Sequence, residues 1–306
     1  MTDEPAQLSA AALTREFGIA GTLDFAQNPS GLVNAMVRVG AVTGELYLQG
    51  AHVTAWAPPQ NQPAIFTSPH SAFTPGRPIR GGIPLIFPWF GPQGSFPEAP
   101  QHGFARATPW RIESVEQLSD RLILKLGLAG EGDAFWPHPF RLTYEVSFGA
   151  TLGLRLSVLN PSRRSIGFEA ALHSYFAVSD VANVAVAGLG GRRFIDKTDS
   201  MRRKRQRAAT LRLRGETDRI YLDTPQFLEI ADSLWRRRIV IDKRRAASTI
   251  VWNPWAEKAA SLGDLGADLW RRMVCVETGN VADEAVTLAA GAEHVMAVEI
   301  AVAGMP

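Results

Sequence analysis

A single cysteine, Cys275, occurs in the 306 residues of the chain. One cysteine can form neither an intramolecular disulfide nor a multi-cysteine metal cluster. Uninterrupted apolar runs of about 18 residues, the length that a membrane helix needs, are also missing. The N-terminal residues 1–5 are acidic and polar and lack the basic-then-apolar profile of a signal peptide. These absences predict a soluble, cytoplasmic protein with no membrane partner.

Motifs for metals and nucleotides are missing as well. The six histidines, at positions 52, 70, 102, 138, 173 and 294, form no pair with metal-ligand spacing. The sequence contains no P-loop, no dinucleotide-binding glycine turn and no serine nucleophile elbow. We therefore expect no bound metal and no cofactor.

Charge of one sign is not in excess, because 32 basic and 30 acidic residues leave a net charge of +2. This balance gives no global argument for a nucleic-acid partner. Only five of the basic residues are lysines, so 27 are arginines, which suit bidentate binding of carboxylate or phosphate. The basic run at 201–207 is either a phosphate patch or a solvated loop or sheet edge. The second interpretation is favoured, since no aromatic residues interleave the charges.

The chain is rich in short segments of Val, Ile, Leu, Phe and Tyr, punctuated by Gly, Asn, Asp or Pro, as is typical of β-strands. Helical patterns are few, with a short helix predicted at 8–17 and a turn at 259–262. We predict an all-β fold, a large antiparallel β-sandwich in one domain over 1–306, because no linker divides the chain. The predicted strands are 33–39, 45–48, 121–128, 142–148, 152–159, 220–222, 227–230, 238–241, 249–252, 273–277 and 294–302.

Two arginine-containing segments are candidate binding elements. Arg80 enters a stiff wall of prolines, glycines and aromatics, where a charged group needs an anionic partner. That partner is either a ligand or a carboxylate at the edge of the core. The segment 101–106 presents Gln101, His102 and Arg106 around a glycine, a set suited to binding a polyol and an anion. A polar surface loop explains the same residues equally well.

A histidine and a glutamate are the candidate acid–base groups. His173 lies in an apolar segment, where a structural histidine is the commoner alternative unless a carboxylate faces it. Glu277 ends an apolar strand, so desolvation should raise its proton affinity unless it is paired. Cys275 should point to the same side of that strand, as a packing residue rather than a nucleophile. Trp252 and Trp255 either stack on a sugar or pack in the core.

Taken in order along the chain, six segments resemble the glucose-6-phosphate 1-epimerase family, which belongs to the aldose 1-epimerase, or galactose mutarotase-like, superfamily. The resemblance covers residues 30–302 and leaves 1–29 as an N-terminal extension. The six segments are PIRGGIPLIFPWFGP at 78–92, QHGFAR at 101–106, LHSYF at 172–176, ETDRIY at 216–221, VWNPWAEK at 251–258 and CVETGNV at 275–281.

This resemblance implies a galactose mutarotase-like sandwich with its site in a cleft. It also implies a cofactor-independent isomerase that interconverts the α and β anomers of an aldohexose 6-phosphate. Matched position by position, it implies a catalytic pair in which Glu277 is the base at the C1 hydroxyl and His173 is the acid at the ring oxygen. Arg80 and Arg106 are the expected phosphate ligands. The full substrate-binding set that it implies is Arg80, Gln101, His102, Arg106 and Asp196.

In such a pair, mutual attraction should favour an ionised Glu277 and a protonated His173 before reaction. Two other functions stay open: a mutarotase for a neutral aldose such as galactose or glucose, and a non-catalytic sugar-binding β-sandwich. A small-molecule sugar phosphate is the expected partner, and the protein is expected to be a monomer.

Overall fold

Antiparallel β-structure dominates the computed structural model of the chain, which describes residues 9–59 and 61–305. Two α-helices accompany the strands, α1 (Ala10–Phe17) and α2 (Trp255–Ser261). The strands are β1 (Leu23–Gln27), β2 (Val33–Val39), β3 (Val42–Tyr47), β4 (His52–Ala57), β5 (Leu85–Ile86), β6 (Arg111–Gln117), β7 (Arg121–Gly130), β8 (Phe140–Gly149), β9 (Leu152–Leu159), β10 (Ile166–Phe168), β11 (Ala170–Leu172), β12 (Tyr175–Ala177), β13 (Val184–Ala187), β14 (Arg193–Asp196), β15 (Arg202–Arg205), β16 (Thr210–Leu211), β17 (Thr217–Tyr221), β18 (Phe227–Asp232), β19 (Arg237–Arg244), β20 (Ser248–Asn253), β21 (Met273–Asn280), β22 (Val286–Leu288) and β23 (Glu293–Gly304).

Two large sheets and two small ones contain these strands. The nine-stranded sheet has the order β16-β13-β18-β19-β23-β9-β8-β7-β6. The eight-stranded sheet has the order β15-β14-β17-β20-β21-β11-β5, and β12 also pairs with β21. A four-stranded sheet, β1-β2-β3-β4, and the pair β10-β22 complete the set. This architecture confirms the predicted all-β fold of antiparallel sheets with few short helices.

Burial along the strands shows how the sheets pack. In β8 the alternate residues Leu142, Tyr144, Val146 and Phe148 are fully buried, the pattern of a strand with one face on the core. All eight residues of β21 are buried, which means that both faces of this strand are covered. The strand that contains Glu277 is therefore central to the molecule.

One contiguous core of apolar side chains joins the three larger sheets. It includes Leu124 from the nine-stranded sheet, Val53 from the four-stranded sheet, and Val274 and Val276 from the eight-stranded sheet. Because side chains alternate along a strand, Glu277 faces the other side of the eight-stranded sheet. That second face is where the polar candidates meet.

Much of the predicted N-terminal extension is folded against the sandwich. The Ser9 side chain caps α1 by accepting a hydrogen bond from the Ala12 backbone N–H at 3.3 Å, and Leu13 is buried in the core. The helix predicted at 8–17 begins at Ala10, and position 8 lies outside the described residues. In the described part of the chain, no helix is both long and apolar enough to cross a membrane.

The basic run at 201–207 supplies β15, the edge strand of the eight-stranded sheet. The four side chains of β15 are exposed, and several are paired with carboxylates. Arg203 binds Asp283 through two hydrogen bonds of 2.6 and 2.8 Å, and Lys204 binds Asp196 at 2.8 Å. The run is thus a charged sheet edge, as the favoured interpretation predicts.

Candidate active site

The eight-stranded sheet places a carboxylate opposite an imidazole. Leu172 pairs with Thr278 across β11 and β21, so His173 comes to lie opposite Glu277. His173 Nε2 is 3.4 Å from Glu277 Oε1. Glu277 is 1% exposed, and neither of its carboxylate oxygens has a hydrogen-bond partner among the described residues. A buried carboxylate without hydrogen bonds is costly for a fold, so this group calls for a functional explanation.

Burial shifts both groups toward their neutral forms. It raises the pKa of Glu277 well above the ordinary 4.5, and the negative charge of Asp218 adds to this effect. Burial also lowers the pKa of His173 well below the ordinary 6.5, with smaller contributions from neighbouring cationic groups. The expectation of an ionised pair in the free protein is therefore corrected. Loss of hydration is the largest cause of both pKa shifts.

Aromatic side chains hold the His173 ring. Tyr175 stacks on it with ring centroids 4.8 Å apart and planes 11° from parallel. Trp252 meets it edge-on, with centroids 6.1 Å apart. Trp252 therefore borders the site, whereas Trp255 packs against Trp270 at a centroid distance of 4.5 Å. Only the first of the two candidate tryptophans is placed to contact a sugar.

Tight backbone packing positions His102. A Cβ on Gly103 would lie 2.0 Å from the Phe87 carbonyl oxygen, and its φ is +68°, so only glycine fits this position. His102 itself has φ +67°, and its Nδ1 accepts a hydrogen bond from the Gly91 backbone N–H at 3.1 Å. The neutral ring therefore carries its proton on Nε2. Its centroid lies 5.7 Å from that of His173, so both histidines belong to one site.

The two candidate phosphate-binding arginines also reach this region. Arg80 Nε lies 3.1 Å from Asp264 Oδ2, and its Nη1 donates to the Tyr175 hydroxyl at 3.2 Å. Arg106 Nη2 donates to the Gln101 backbone carbonyl at 2.6 Å, while the Gln101 residue is exposed. Burial lowers the pKa of Arg106 to about 10. The carboxylate that the half-buried Arg80 pairs with is thus Asp264, and the second terminal nitrogen of Arg80 has no partner in the described residues.

Two residues missed by the sequence analysis, Lys197 and Asp218, lie beside the pair. Lys197 Nζ is 2.9 Å from Asp218 Oδ2. Asp218 pairs with Trp252, which pairs in turn with Cys275, so these side chains share the face of Glu277. Asp218 could have been found because it lies within ETDRIY, one of the segments that carry the resemblance. Lys197 has no comparable signal.

Asp196, predicted to bind substrate, is not brought to this site. Ile195, the residue before it, lies in the cross-strand row that contains Glu277. Successive side chains alternate between faces, so Asp196 points to the opposite side of the sheet. There its carboxylate accepts a 2.8 Å hydrogen bond from Lys204 Nζ. The structure thus places Asp196 away from the pair, and Asp218 is the aspartate that lies on the Glu277 face.

A buried carboxylate that faces an imidazole on one face of a large antiparallel β-sandwich is an arrangement suited to an isomerase of the galactose mutarotase-like class. Comparison with known proteins gives the family within that class. The chain belongs to the aldose 1-epimerase family, whose sequence model matches residues 38–301. This match confirms the resemblance found in the sequence.

Relatives and a solved structure agree with this assignment. A Cenchrus ciliaris protein provisionally named glucose-6-phosphate 1-epimerase is 32% identical over 286 residues, which cover 88% of this chain and 84% of that protein. An Escherichia coli K12 protein with the same provisional name is 35% identical over 239 residues, or 78% of this chain and 79% of its own length. The crystal structure of YeaD from Salmonella typhimurium, provisionally described as a mutarotase, has a TM-score of 0.87 and 30% identity, and it covers 94% of this chain and 96% of its own.

Proposed function

We propose that the protein is a hexose-6-phosphate 1-epimerase that interconverts the α and β anomers of an aldohexose 6-phosphate. Glu277 and His173 are its catalytic pair. The observation that carries the proposal is the buried, unpartnered Glu277 carboxylate 3.4 Å from the His173 ring. The names of the relatives support the choice of a sugar phosphate over a neutral sugar.

Anomer exchange requires a proton to leave the C1 hydroxyl and another to reach the ring oxygen. Glu277 as carboxylate accepts the first, and His173 as imidazolium donates the second. The ring opens to the aldehyde, C1 rotates, and closure on the other face returns both protons. General acid–base action of this kind contributes about 10²- to 10⁴-fold to the rate.

The protonation states of the pair fit this cycle. The ionised pair (Glu277 carboxylate with His173 imidazolium) and the neutral pair (Glu277 carboxylic acid with neutral His173) contain the same number of protons. Ring opening converts the ionised pair into the neutral pair. Burial favours the neutral pair, so it favours the state that accompanies the open-chain sugar. Before ring opening, a proton moves from Glu277 to His173 across their 3.4 Å separation, without exchange with solvent.

Arg80 and Arg106 supply the positive charge that a phosphate ester needs. Arg80 is oriented by Asp264 and Tyr175, and Arg106 by a backbone carbonyl, so both guanidinium groups are preorganised. Apart from burial, the positive charge of Arg80 is among the causes that lower the pKa of Arg106. A phosphate dianion between them relieves this repulsion.

The remaining polar groups suit the sugar hydroxyls. Asp218 offers carboxylate oxygens as acceptors, while Lys197 and the Nε2 of His102 offer N–H groups as donors. Trp252, half-buried and edge-on to His173, provides an apolar surface for the sugar ring. Gln101 stays in the predicted binding set through its position next to Arg106.

A comparison of two sugars tests the proposal. We expect the wild-type protein to accelerate anomer exchange of glucose 6-phosphate much more than that of glucose. Arg80→Gln and Arg106→Gln should each raise KM for the phosphate ester by about tenfold or more, since each loses a charge-assisted contact. Arg202→Gln, on the exposed sheet edge, is the matched control. Equal rates on both sugars would favour a neutral-aldose mutarotase, and binding without acceleration would favour a non-catalytic sugar-binding protein.

A further inference from the structure

The thiol of Cys275 belongs to the same cluster as the catalytic pair. Cys275 Sγ, one His173 ring nitrogen and one Glu277 carboxylate oxygen all lie within 4.8 Å of one another. All three residues are buried: Cys275 and Glu277 project from β21 onto one face, and His173 lies opposite Glu277 in the connection between β11 and β12. The reaction proposed above uses the imidazole and the carboxylate but gives the thiol no role.

These three donors are a ligand set that zinc-like ions prefer. Zinc binds sulfur at about 2.3 Å and nitrogen or oxygen at about 2.0–2.2 Å, in a tetrahedron. Such bonds separate the donor atoms by roughly 3.3–3.6 Å. His173 Nε2 and Glu277 Oε1 are already 3.4 Å apart, and the donor atoms of the whole cluster, which lie within 4.8 Å of one another, need to close by up to about 1.2 Å.

The state of Glu277 is the second observation. Its carboxylate is 1% exposed, and neither oxygen has a partner among the described residues. A hydrogen-bonded structural carboxylate would lose its partners on binding a metal, whereas this one has none to lose. We propose that His173, Cys275 and Glu277 form a binding site for a thiophilic divalent cation such as Zn²⁺ or Cd²⁺, and that the bound ion inhibits the enzyme.

Charge balance supports a divalent ion at this buried position. Binding releases one proton from the Cys275 thiol and one from the Glu277 carboxyl to solvent, and neutral His173 contributes a lone pair. The thiolate and the carboxylate then cancel the two positive charges of the ion, so no net charge is buried. Three protein ligands leave a fourth position for water or a sugar hydroxyl.

The inhibitory effect rests on the proposed function, because the ion would occupy both the acid and the base. Glucose 6-phosphate in the site should slow its onset by covering the same groups. The reaction itself needs no such ion, so removal of the ion with a chelator should restore the full rate.

Cobalt absorption tests the site independently of any activity. Cys275 is the single cysteine in the chain, so a near-ultraviolet thiolate-to-cobalt charge-transfer band can come from it alone. We expect wild-type protein to bind one equivalent of CoCl₂ with this band, and Cys275→Ser and Cys275→Ala to lack it. Two substitutions are used because either could destabilise the buried strand. Absence of the band from folded wild-type protein would overturn the proposal.

Zinc inhibition tests the consequence. We expect ZnCl₂ to inhibit wild-type anomer exchange reversibly, and about tenfold more ZnCl₂ to be needed for half-inhibition of Cys275→Ser, with each rate taken relative to the same protein's metal-free rate. Equal inhibition of both proteins would contradict a role for the thiol. A cobalt band in a protein without epimerase activity would refute the proposed function but leave the metal site standing.

Discussion

At the scale of single residues, half of the buried side-chain polar atoms without hydrogen-bond partners in the described structure belong to the proposed site. The Glu277 oxygens, His173 Nδ1 and Arg106 Nε are buried and lack hydrogen bonds within the described structure. Elsewhere the buried Asp232 carboxylate accepts hydrogen bonds from the Ser179 backbone N–H and hydroxyl, whereas Arg237 Nε and Arg238 Nε lack partners within the described structure. The fold tolerates the first set because its stability comes from the large apolar core.

The pH dependence of kcat/KM follows from the protonation of the pair. Activity requires one proton shared by Glu277 and His173, so it falls when the pair gains a second proton or loses the only one. Because burial lowers the pKa of His173 below 6.5 and raises that of Glu277 above 4.5, both charged states of the pair are disfavoured. The acid limb, which reports protonation of His173, therefore lies below pH 6.5. The alkaline limb, which reports ionisation of Glu277, lies above the ordinary glutamate value of 4.5.

A bell-shaped profile of anomer exchange rate against pH is the expected result, with the acid limb set by His173 and the alkaline limb by Glu277. The alkaline limb is the informative one, since the sugar phosphate titrates near pH 6 and contributes to the acid limb. The limb should move in Asp218→Asn, toward lower pH, because the negative charge that raises the pKa of Glu277 is gone. If the alkaline limb does not move in Asp218→Asn, the group that titrates there is not Glu277.

At the scale of the elements, strand existence could be predicted from the sequence and strand register could not. The strands at 33–39 and 152–159 have the predicted bounds, because alternating apolar residues and glycine turns are local signals. Asp196 was the aspartate predicted for the site, and Asp218 was missed. Only the pairing of β14 with β17 and of β20 with β21 decides which face each occupies.

The same substitution on the two faces of the sheet tests this assignment. Asp218→Asn should raise KM or lower kcat for glucose 6-phosphate by about tenfold, because the carboxylate lies on the Glu277 face and pairs with Lys197. Asp196→Asn should leave both constants close to wild type and cost only stability, through the weakened contact with Lys204. Steady-state kinetics with thermal unfolding of both variants distinguishes the effects. A reversed ranking of the two variants would mean that the register is wrong.

At the scale of the whole molecule, buried polar contacts tie the two large sheets together beside the apolar core. Arg237 of β19 donates hydrogen bonds to the carbonyls of Gln62, Pro63 and Ala177, at 2.8, 3.1 and 2.7 Å. Ala177 lies in β12, so this side chain connects the nine-stranded sheet to the eight-stranded one. The central position of Glu277 depends on such connections.

Arg237→Met should therefore lower the free energy of unfolding by about 3 kcal/mol, because three carbonyls lose a charged hydrogen-bond donor. Arg237 is only 2% exposed, so water cannot replace that donor. Arg244→Met is the matched control in the same strand, because its exposed pair with Asp242 contributes about 0–1 kcal/mol. Denaturant unfolding of both variants gives the comparison. Similar losses would show that Arg237 does not connect the sheets as described.

The central claim is that Glu277, acting with His173, exchanges the anomers of a hexose 6-phosphate. The most direct measurement is NMR exchange between the α and β anomers of glucose 6-phosphate, with wild-type protein, Glu277→Gln and the exposed control Glu293→Gln. We predict rapid exchange with the wild type and the control, and a rate lower by about 10²- to 10⁴-fold with Glu277→Gln. Undiminished exchange in folded Glu277→Gln, or no acceleration by the wild type, would contradict the account.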